Sequence, residues 1–399
     1  MERESIEVAD IFRLFGDQYC NHYRLSPEQS KVMNLIKICR TSVLGGHIQQ
    51  CDHCGYEKPA YNSCRNRHCP KCQSAAKQKW LNARSAELLP CGYFHLVFTL
   101  PHKLNGLIFA NKVLLLGILF ATVNEVLQCF GRDPQWRLEG QIGFVAVLHT
   151  WSQTLMDHFH LHCLVPAGAL QSEKPRWIAS RKKYLFNAKS LAKAFRRRYM
   201  KKLCALYGTD QLKFTGRTAE ISGAQDFGKL VAELKRKDWI VYAKRPFAGP
   251  QQVIDYLGRY THRVAISNHR IVALENDRVT FTYRDRADED KIKHMTLAAV
   301  EFIRRFLLHV LPDGFVKIRY FGFMAHRNRK KSIALIRQLI GPCGEAVEIR
   351  QETVAEMMLR TTGIDITLCP RCGKGRLQRS LLVLTKARDP TQEAQQVML

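Results

Sequence analysis

The sequence predicts an α+β fold, and three observations lead there. β-Branched and aromatic runs closed by Pro or Gly recur through the middle of the chain, as at residues 93–100 and 143–151, the pattern of strands. Around them, apolar residues return at three- and four-residue intervals, the pattern of helices. The run Asp157-His158-Phe159-His160-Leu161-His162-Cys163-Leu164-Val165-Pro166 then follows Trp151 after a connection short enough for an antiparallel pair.

Taken in order, residues 1–46 form an N-terminal helical segment. Ile11, Phe12, Leu14 and Phe15, then Val32, Met33, Leu35 and Ile36, recur at helical spacing, with Ser26 as N-cap and Pro27 in the first turn of the second helix. Residues 47–90 form a zinc-binding module. Cys51-Asp52-His53-Cys54-Gly55 and Cys69-Pro70-Lys71-Cys72 are two CxxC knuckles fourteen residues apart. Together Cys51, Cys54, Cys69 and Cys72 supply four thiolates for a tetrahedral structural Zn²⁺ with no position left for water. Cys64, His47, His53 and His68 are spare ligands that could replace a thiolate or build a second site. Arg65, Arg67, Lys71 and Lys77 surround the knuckles, so the module either touches phosphate or is a structural staple alone.

Residues 91–285 form the core. Its strand at 93–100 is closed by Pro101, an apolar helix runs from about 104 to 129, and the strand at 143–151 precedes the histidine strand, which Pro166-Ala167-Gly168 ends. A basic, mostly helical insertion spans about 171–238, and a strand follows at 239–244. Residues 251–260 have helical character and stack Tyr256 and Tyr260 one turn apart. Short strands follow at 264–266, 269–274 and 278–284, with Glu275-Asn276-Asp277 as a turn. Residues 286–365 are a C-terminal α/β extension with helices at 297–310 and 330–340 and a strand at 315–321. Residues 366–399 form a tail with a third knuckle, Cys369-Pro370-Arg371-Cys372-Gly373. Cys369 and Cys372 are candidate ligands of a second zinc, which Cys343 and a histidine could complete.

Lys and Arg number 62 against 35 acidic residues, a net charge of +27, which implies a polyanionic partner. Clusters at Arg181-Lys182-Lys183, Arg196-Arg197-Arg198 and residues 327–331 are spread along the chain. One such cluster is an ordinary solvated face; the set suggests an extended binding surface. The charged start Met1-Glu2-Arg3-Glu4 predicts no secretory leader. Residues 113–123, the most membrane-like run, are about half the ~20 needed to span a bilayer and read as a buried helix. No membrane partner is expected, and a cytoplasmic, nucleoid-associated protein is. Fourteen cysteines in that setting point to metal ligation over disulfides.

A strand's period of two turns His158, His160 and His162 to one face and Phe159, Leu161 and Cys163 to the other. Three imidazoles on one face suit a cation or a hydrogen-bond network, anchored by the apolar residues behind them. An open three-histidine zinc hydrolase is one reading. The HxHxDH pattern of metallo-β-lactamase-like hydrolases fails, because His162 stands where its Asp belongs and Cys163 where its last His belongs. Phosphoryl transfer is the other reading, with two histidines on a divalent cation and a separate nucleophile. Tyr256 and Tyr260 could be that nucleophile if metal and the charges of Arg259 and Arg263 favour a phenolate. Packing against a sheet is the plain alternative for such a pair.

These residues resemble the two-tyrosine HUH transposases of rolling-circle insertion sequences. The resemblance rests on the histidine strand followed by Leu164-Val165-Pro166, the tyrosine pair, Cys64-Arg65-Asn66-Arg67-His68-Cys69-Pro70-Lys71-Cys72, and Tyr260-Thr261-His262-Arg263-Val264-Ala265-Ile266-Ser267-Asn268-His269-Arg270. It runs over roughly residues 30–375. It implies a central antiparallel sheet of the HUH endonuclease type, the histidine strand in its middle, with flanking helices and a small N-terminal helical and zinc-knuckle domain.

The implied activity is nicking of single-stranded DNA through a 5′-phosphotyrosine, with Tyr256 placed first and the second tyrosine serving transfer to the target. His160 and His162 match the family pair, and His158 is an additional histidine available as third ligand, with Gln153 and His95 as other candidates. Mg²⁺ or Mn²⁺ suits that site and Zn²⁺ the cysteine knuckles. Arg65, Arg67, Arg259 and Arg263 are the expected DNA contacts. A non-catalytic zinc-containing nucleic-acid-binding protein and a zinc phosphodiesterase are the alternative functions.

Overall fold

A computed structural model of the chain describes residues 6–171, 173–180, 185–247, 253, 258, 265–285, 288–341 and 353–380, and it is α+β. Helices α1 (Val8–His22) and α2 (Pro27–Lys37) form as their periodicity predicts. Ser26 caps α2: its hydroxyl accepts from the Gln29 amide at 3.2 Å, and the Gln29 side chain accepts from the Ser26 amide at 3.0 Å, a reciprocal capping box. Strands β1 (Gly46–Cys51) and β2 (Glu57–Tyr61), not expected from the sequence, form a hairpin around the first knuckle. Helix α3 (Pro70–Ser85) starts directly on the second knuckle, with Cys69 at its N-cap and Pro70 in its first turn.

Strand β3 (Tyr93–Thr99) is followed by α4 (Asn105–Ala110) and α5 (Lys112–Arg132), where one helix was expected. The break is at Asn111, whose side chain exchanges two 2.8 Å hydrogen bonds with the Lys213 backbone. By length and composition α5 could cross a membrane. Its Leu115, Leu116, Leu119, Phe120, Val123, Val126 and Leu127 are instead buried in the main core.

Strands β4 (Phe144–Trp151) and β5 (Asp157–Pro166) form the expected antiparallel pair, and β6 (Gly168–Gln171) pairs with β7 (Arg176–Ala179). Helices α6 (Ala188–Gly208) and α7 (Ala224–Arg236) follow, then β8 (Val241–Phe247). Strands β9 (Ile271–Glu275), β10 (Arg278–Asp285) and β11 (Lys291–Ala298) form a meander. Its first turn has Asn276 and Asp277 at φ 49° and 58°, as a tight hairpin requires. After α8 (Ala299–Leu308) come β12 (Ile318–Phe321), α9 (Arg329–Ile340), α10 (Val354–Thr362) and β13 (Leu377–Ser380).

The central sheet runs β12-β4-β5-β3-β8, every pairing antiparallel, with the histidine strand in the middle. Phe159, Leu161, Cys163 and Val165 on one face of β5 join Phe94, Leu96 and Phe98 of β3 under α5, α6 and α7. The basic segment after residue 185 therefore contributes core, through Leu191, Phe195, Tyr199, Leu230 and Leu234. Phe159 is buried there, so Phe159→Ala would cost about 3–5 kcal/mol and loosen the histidines it backs.

Over the opposite face, Tyr93, Val145, Val147 and Leu164 pack with Leu81 of α3, Ile333 and Ile336 of α9, and Val253. A second core unites α1, α2, α8 and the meander, with Phe12 edge-on to Phe306 at 5.3 Å.

Candidate metal centres

On the second face of the sheet three histidines converge. Strand register sets them there: His149 of β4 is the cross-strand partner of His160 of β5, and Val147 of His162. Their ligand nitrogens all lie within 4.8 Å of one another, and all three residues are buried. The rings meet edge to face, His149 to His162 at 4.5 Å and His160 to His162 at 4.7 Å between centroids. Trp151 stacks on His149 at 4.9 Å and fixes its plane.

A hydrogen bond behind the ring assigns the tautomer of His160, and His95 can set that of His162. The His160 Nδ1 lies 2.8 Å from the His158 carbonyl, an acceptor only, so Nδ1–H donates and the Nε2 lone pair is free to point inward. His162 Nδ1 lies 2.9 Å from His95 Nε2, and donation to His95 leaves the His162 Nε2 lone pair inward as well. The two Nε2 atoms then face each other at 3.0 Å. In that tautomer the two lone pairs call for a cation between them, whereas a His162 protonated at Nε2 would donate to His160 directly; about 3.0 Å is also the edge expected of adjacent ligands on an octahedral ion with ~2.1 Å bonds. The donor set fits a divalent ion. His95 supplies the orienting outer partner that metal-bound histidines generally have.

The cysteines group differently from the expectation. Cys51, Cys54, Cys69 and Cys72 do not form one site: Cys69 and Cys72 cluster with Cys39 and Cys64, whereas Cys51 and Cys54 cluster with Cys369 and Cys372. In the first cluster the Sγ pairs Cys39–Cys72, Cys64–Cys72 and Cys39–Cys69 are each 3.6 Å apart. In the second, Cys51–Cys372 and Cys54–Cys369 are 3.8 and 3.7 Å apart. A tetrahedron of ~2.3 Å zinc–sulfur bonds has edges of about 3.8 Å, so both clusters fit zinc and neither is a disulfide pair. The physical reason for the regrouping is α3, whose start carries Cys69 and Cys72 into the second core beside the end of α2, away from the β1–β2 hairpin. Backbone amides of Gly375 and Lys374 draw the Cys372 thiol down to about 6, which favours the thiolate a metal needs.

Other expected site residues separate. His158 is outside the histidine trio, its ring 5.4 Å from His102. Gln153 lies in the β4–β5 turn, where its carbonyl accepts from Arg270 at 2.7 Å. Arg67 is tied into the fold, its guanidinium donating to the carbonyls of Phe315, Pro312 and Leu311. Arg65 is exposed. His47, His53 and His68 join neither cysteine cluster; burial holds His68 neutral, with its pKa lowered to about 3. Tyr256, Tyr260, Arg259, Arg263 and Cys343 lie outside the described residues.

Two ligands escaped sequence reading. Cys39 is a lone cysteine at the end of α2 with no spacing to mark it. His149 had a signal: counting back across the short β4–β5 turn pairs it with His160.

Comparison with known proteins supplies the family and agrees with zinc binding by the cysteines. Residues 143–332 match the family described as "Putative transposase", and residues 11–100 match the "Transposase zinc-binding domain". The chain is 44% identical over 383 residues to "Putative transposase y4qJ" of Sinorhizobium fredii, covering 94% of this chain and 95% of that one. It is 29% identical over 295 residues to the "Transposase for insertion sequence element IS801" of Pseudomonas savastanoi pv. phaseolicola, covering 72% and 68%. No solved structure matches the chain. With a close relative matched almost end to end and both family segments in place, the chain belongs to the IS91/IS801-type transposases that carry a zinc-binding domain.

Proposed function

We propose that this transposase nicks and rejoins single-stranded DNA at the ends of its element through a 5′-phosphotyrosine, on a sheet of the HUH type. The observation that carries the reading is the convergence of His149, His160 and His162, two of them with Nδ1 tied back so that Nε2 faces its neighbour. A Mg²⁺ or Mn²⁺ held by these nitrogens would supply charge to a scissile phosphate. His95 keeps His162 in the ligating tautomer, and Trp151 holds the plane of His149.

Tyr256 or Tyr260 is the nucleophile. Val253, three positions before Tyr256, is fully buried on the histidine side of the sheet with Val145, Val147 and Leu164. A Cβ placed on Gly258, two positions after it, would lie 3.1 Å from Leu81 and Lys77 of α3. These two anchors support a nucleophile segment on that face. In the step, the phenol oxygen bonds to phosphorus as the bond to the 3′-oxygen breaks. The phenol proton passes to solvent or a nearby base, and the departing 3′-oxygen takes up one proton from solvent to become the 3′-hydroxyl. Attack of a 3′-hydroxyl on the phosphotyrosine reverses this and joins strands without an external energy source.

The test mixes protein, Mn²⁺ and single-stranded oligonucleotides carrying the element ends. A covalent adduct that disappears in the Tyr256→Phe/Tyr260→Phe variant is the expected result. Cleavage that survives in that variant would favour a metal phosphodiesterase, and salt-sensitive binding without any cleavage would favour a non-catalytic DNA-binding protein.

A further inference from the structure

The segment that matches the zinc-binding family, residues 11–100, holds Cys51 and Cys54 but stops far short of Cys369 and Cys372. We propose that Cys51, Cys54, Cys369 and Cys372 bind one zinc ion at the centre of a ribbon assembled from two segments, Cys54 and Cys369 standing 315 positions apart. The inference is independent of the strand-transfer reading.

The two knuckles are built alike. Each reads Cys-x-x-Cys-Gly. In one the Gly55 amide donates to the Cys51 carbonyl at 3.1 Å, and in the other the Gly373 amide donates to the Cys369 carbonyl at 3.0 Å. Both glycines have positive φ, 69° and 63°, which a side chain would strain. The strand leaving each knuckle joins one sheet: β13 pairs antiparallel with β1, Cys51 opposite Leu377 and Gln50 opposite Gln378, and β2 closes the other side.

Contacts between the knuckles exceed what the thiols alone make. The Arg376 amide donates to Asp52 Oδ1 at 2.7 Å, and the Asp52 amide donates to the Arg376 carbonyl at 3.1 Å. A Cβ on Gly375 would lie 2.5 Å from Cys51 Sγ and 2.6 Å from His53 Cβ. The C-terminal knuckle thus sits on the N-terminal one with room for glycine only. A three-stranded sheet this small has little core of its own, so metal is the natural source of its stability. The zinc becomes a clasp tying the chain's C-terminal segment to its N-terminal hairpin.

Zinc stoichiometry of the full-length protein tests this, measured after removal of loosely held metal from the histidine site. Cys51→Ser/Cys54→Ser and Cys369→Ser/Cys372→Ser should each lose one equivalent, and the quadruple variant should lose that same single equivalent. Cys64→Ser/Cys69→Ser should lose a different one. Loss of two equivalents in the quadruple variant, or none in Cys369→Ser/Cys372→Ser, would overturn the proposal.

A second measurement needs no variant. In the wild-type protein Cys51, Cys54, Cys369 and Cys372 should resist alkylation together and become reactive together as a chelator is added. Alkylation of Cys369 and Cys372 while Cys51 and Cys54 remain protected would equally overturn it.

Discussion

In the central sheet, His149, His160 and His162 come from two adjacent strands, and register alone brings them together. Each cysteine cluster gathers its ligands across folds of the chain: Cys39 follows α2 and meets Cys69 at the head of α3, and Cys54 meets Cys369 across 315 positions. The consequences differ. The histidines stand on a scaffold held by its own apolar face, with Phe159, Leu161 and Cys163 buried behind them. The cysteines are themselves part of what holds their surroundings, since Cys39 and Cys69 lie inside the second core with Val32, Met33 and Ile36. Loss of metal should therefore silence chemistry at one kind of site and structure at the other.

The largest effect that would test this contrast is on the first cysteine cluster. Cys64→Ser/Cys69→Ser should release zinc and loosen the packing of α1, α2 and α8, where structural zinc contributes on the order of 10 kcal/mol. Calorimetry should show a lowered or split melting transition, and activity should fall only with the folded fraction. An unchanged melting temperature would break the contrast. Next is His162→Ala, which removes an inward-facing Nε2. Adduct formation should fall about 10³-fold, or ~4 kcal/mol on the barrier, while the melting temperature moves by only a few degrees.

This contrast also explains what could be read in the sequence. The alternation in β5 marked the histidine face and the apolar face, because a two-residue period is local. The strands at 93–100 and 143–151, the helices α6, α8 and α9 and the hairpin turn at Asn276 followed from local pattern in the same way, whereas the order of the central sheet came from the family resemblance. CxxC spacing identified ligand chemistry yet not partnership, since a knuckle is complete within five residues and says nothing of which other knuckle faces it. Arg67 is a related case: its charge beside a zinc knuckle was legible, but its hydrogen bonds to the loop at Leu311 to Phe315 were not, because that loop lies far along the chain. Strand β11 was missed because its apolar pattern is inverted at the start: Ile292 is exposed whereas the charged Lys293 shares the partly buried face with Met295 and Leu297.

A third kind of histidine sharpens the comparison further. His309 is buried, accepts from Thr150 at 3.2 Å and donates to the Leu155 carbonyl at 3.1 Å, outside the trio. Burial lowers its pKa to about 4, below the ~6.5 of the unfolded chain. As pH falls through 6.5 the unfolded state takes the proton first, so stability is fully present above that value and drains toward pH 4. The loss is roughly 1.4 kcal/mol per unit and about 3 kcal/mol in all. Urea melts at pH 7.5 and 5 should show it, and His309→Gln should flatten the slope relative to wild type. An unchanged slope would mean that other groups carry the acid sensitivity.

The smallest effect separates a ligand from the group that aims it. His95 meets His162 through its Nε2, 2.9 Å from the His162 Nδ1, and lies outside the trio of converging nitrogens. Removing its ring leaves the His162 tautomer unpinned without deleting a ligand. His95→Ala should therefore weaken divalent-ion affinity about 10–100-fold, the usual cost of losing an orienting partner, and saturating Mn²⁺ should restore most of the nicking rate. His149→Ala, which deletes a ligand, should not be rescued that way. Mn²⁺ titrations of both variants, read as affinity and as rate at saturation, decide the assignment. If His95→Ala resists rescue and His149→Ala yields to it, the two residues have exchanged roles, and the third ligand comes from β3 instead of β4.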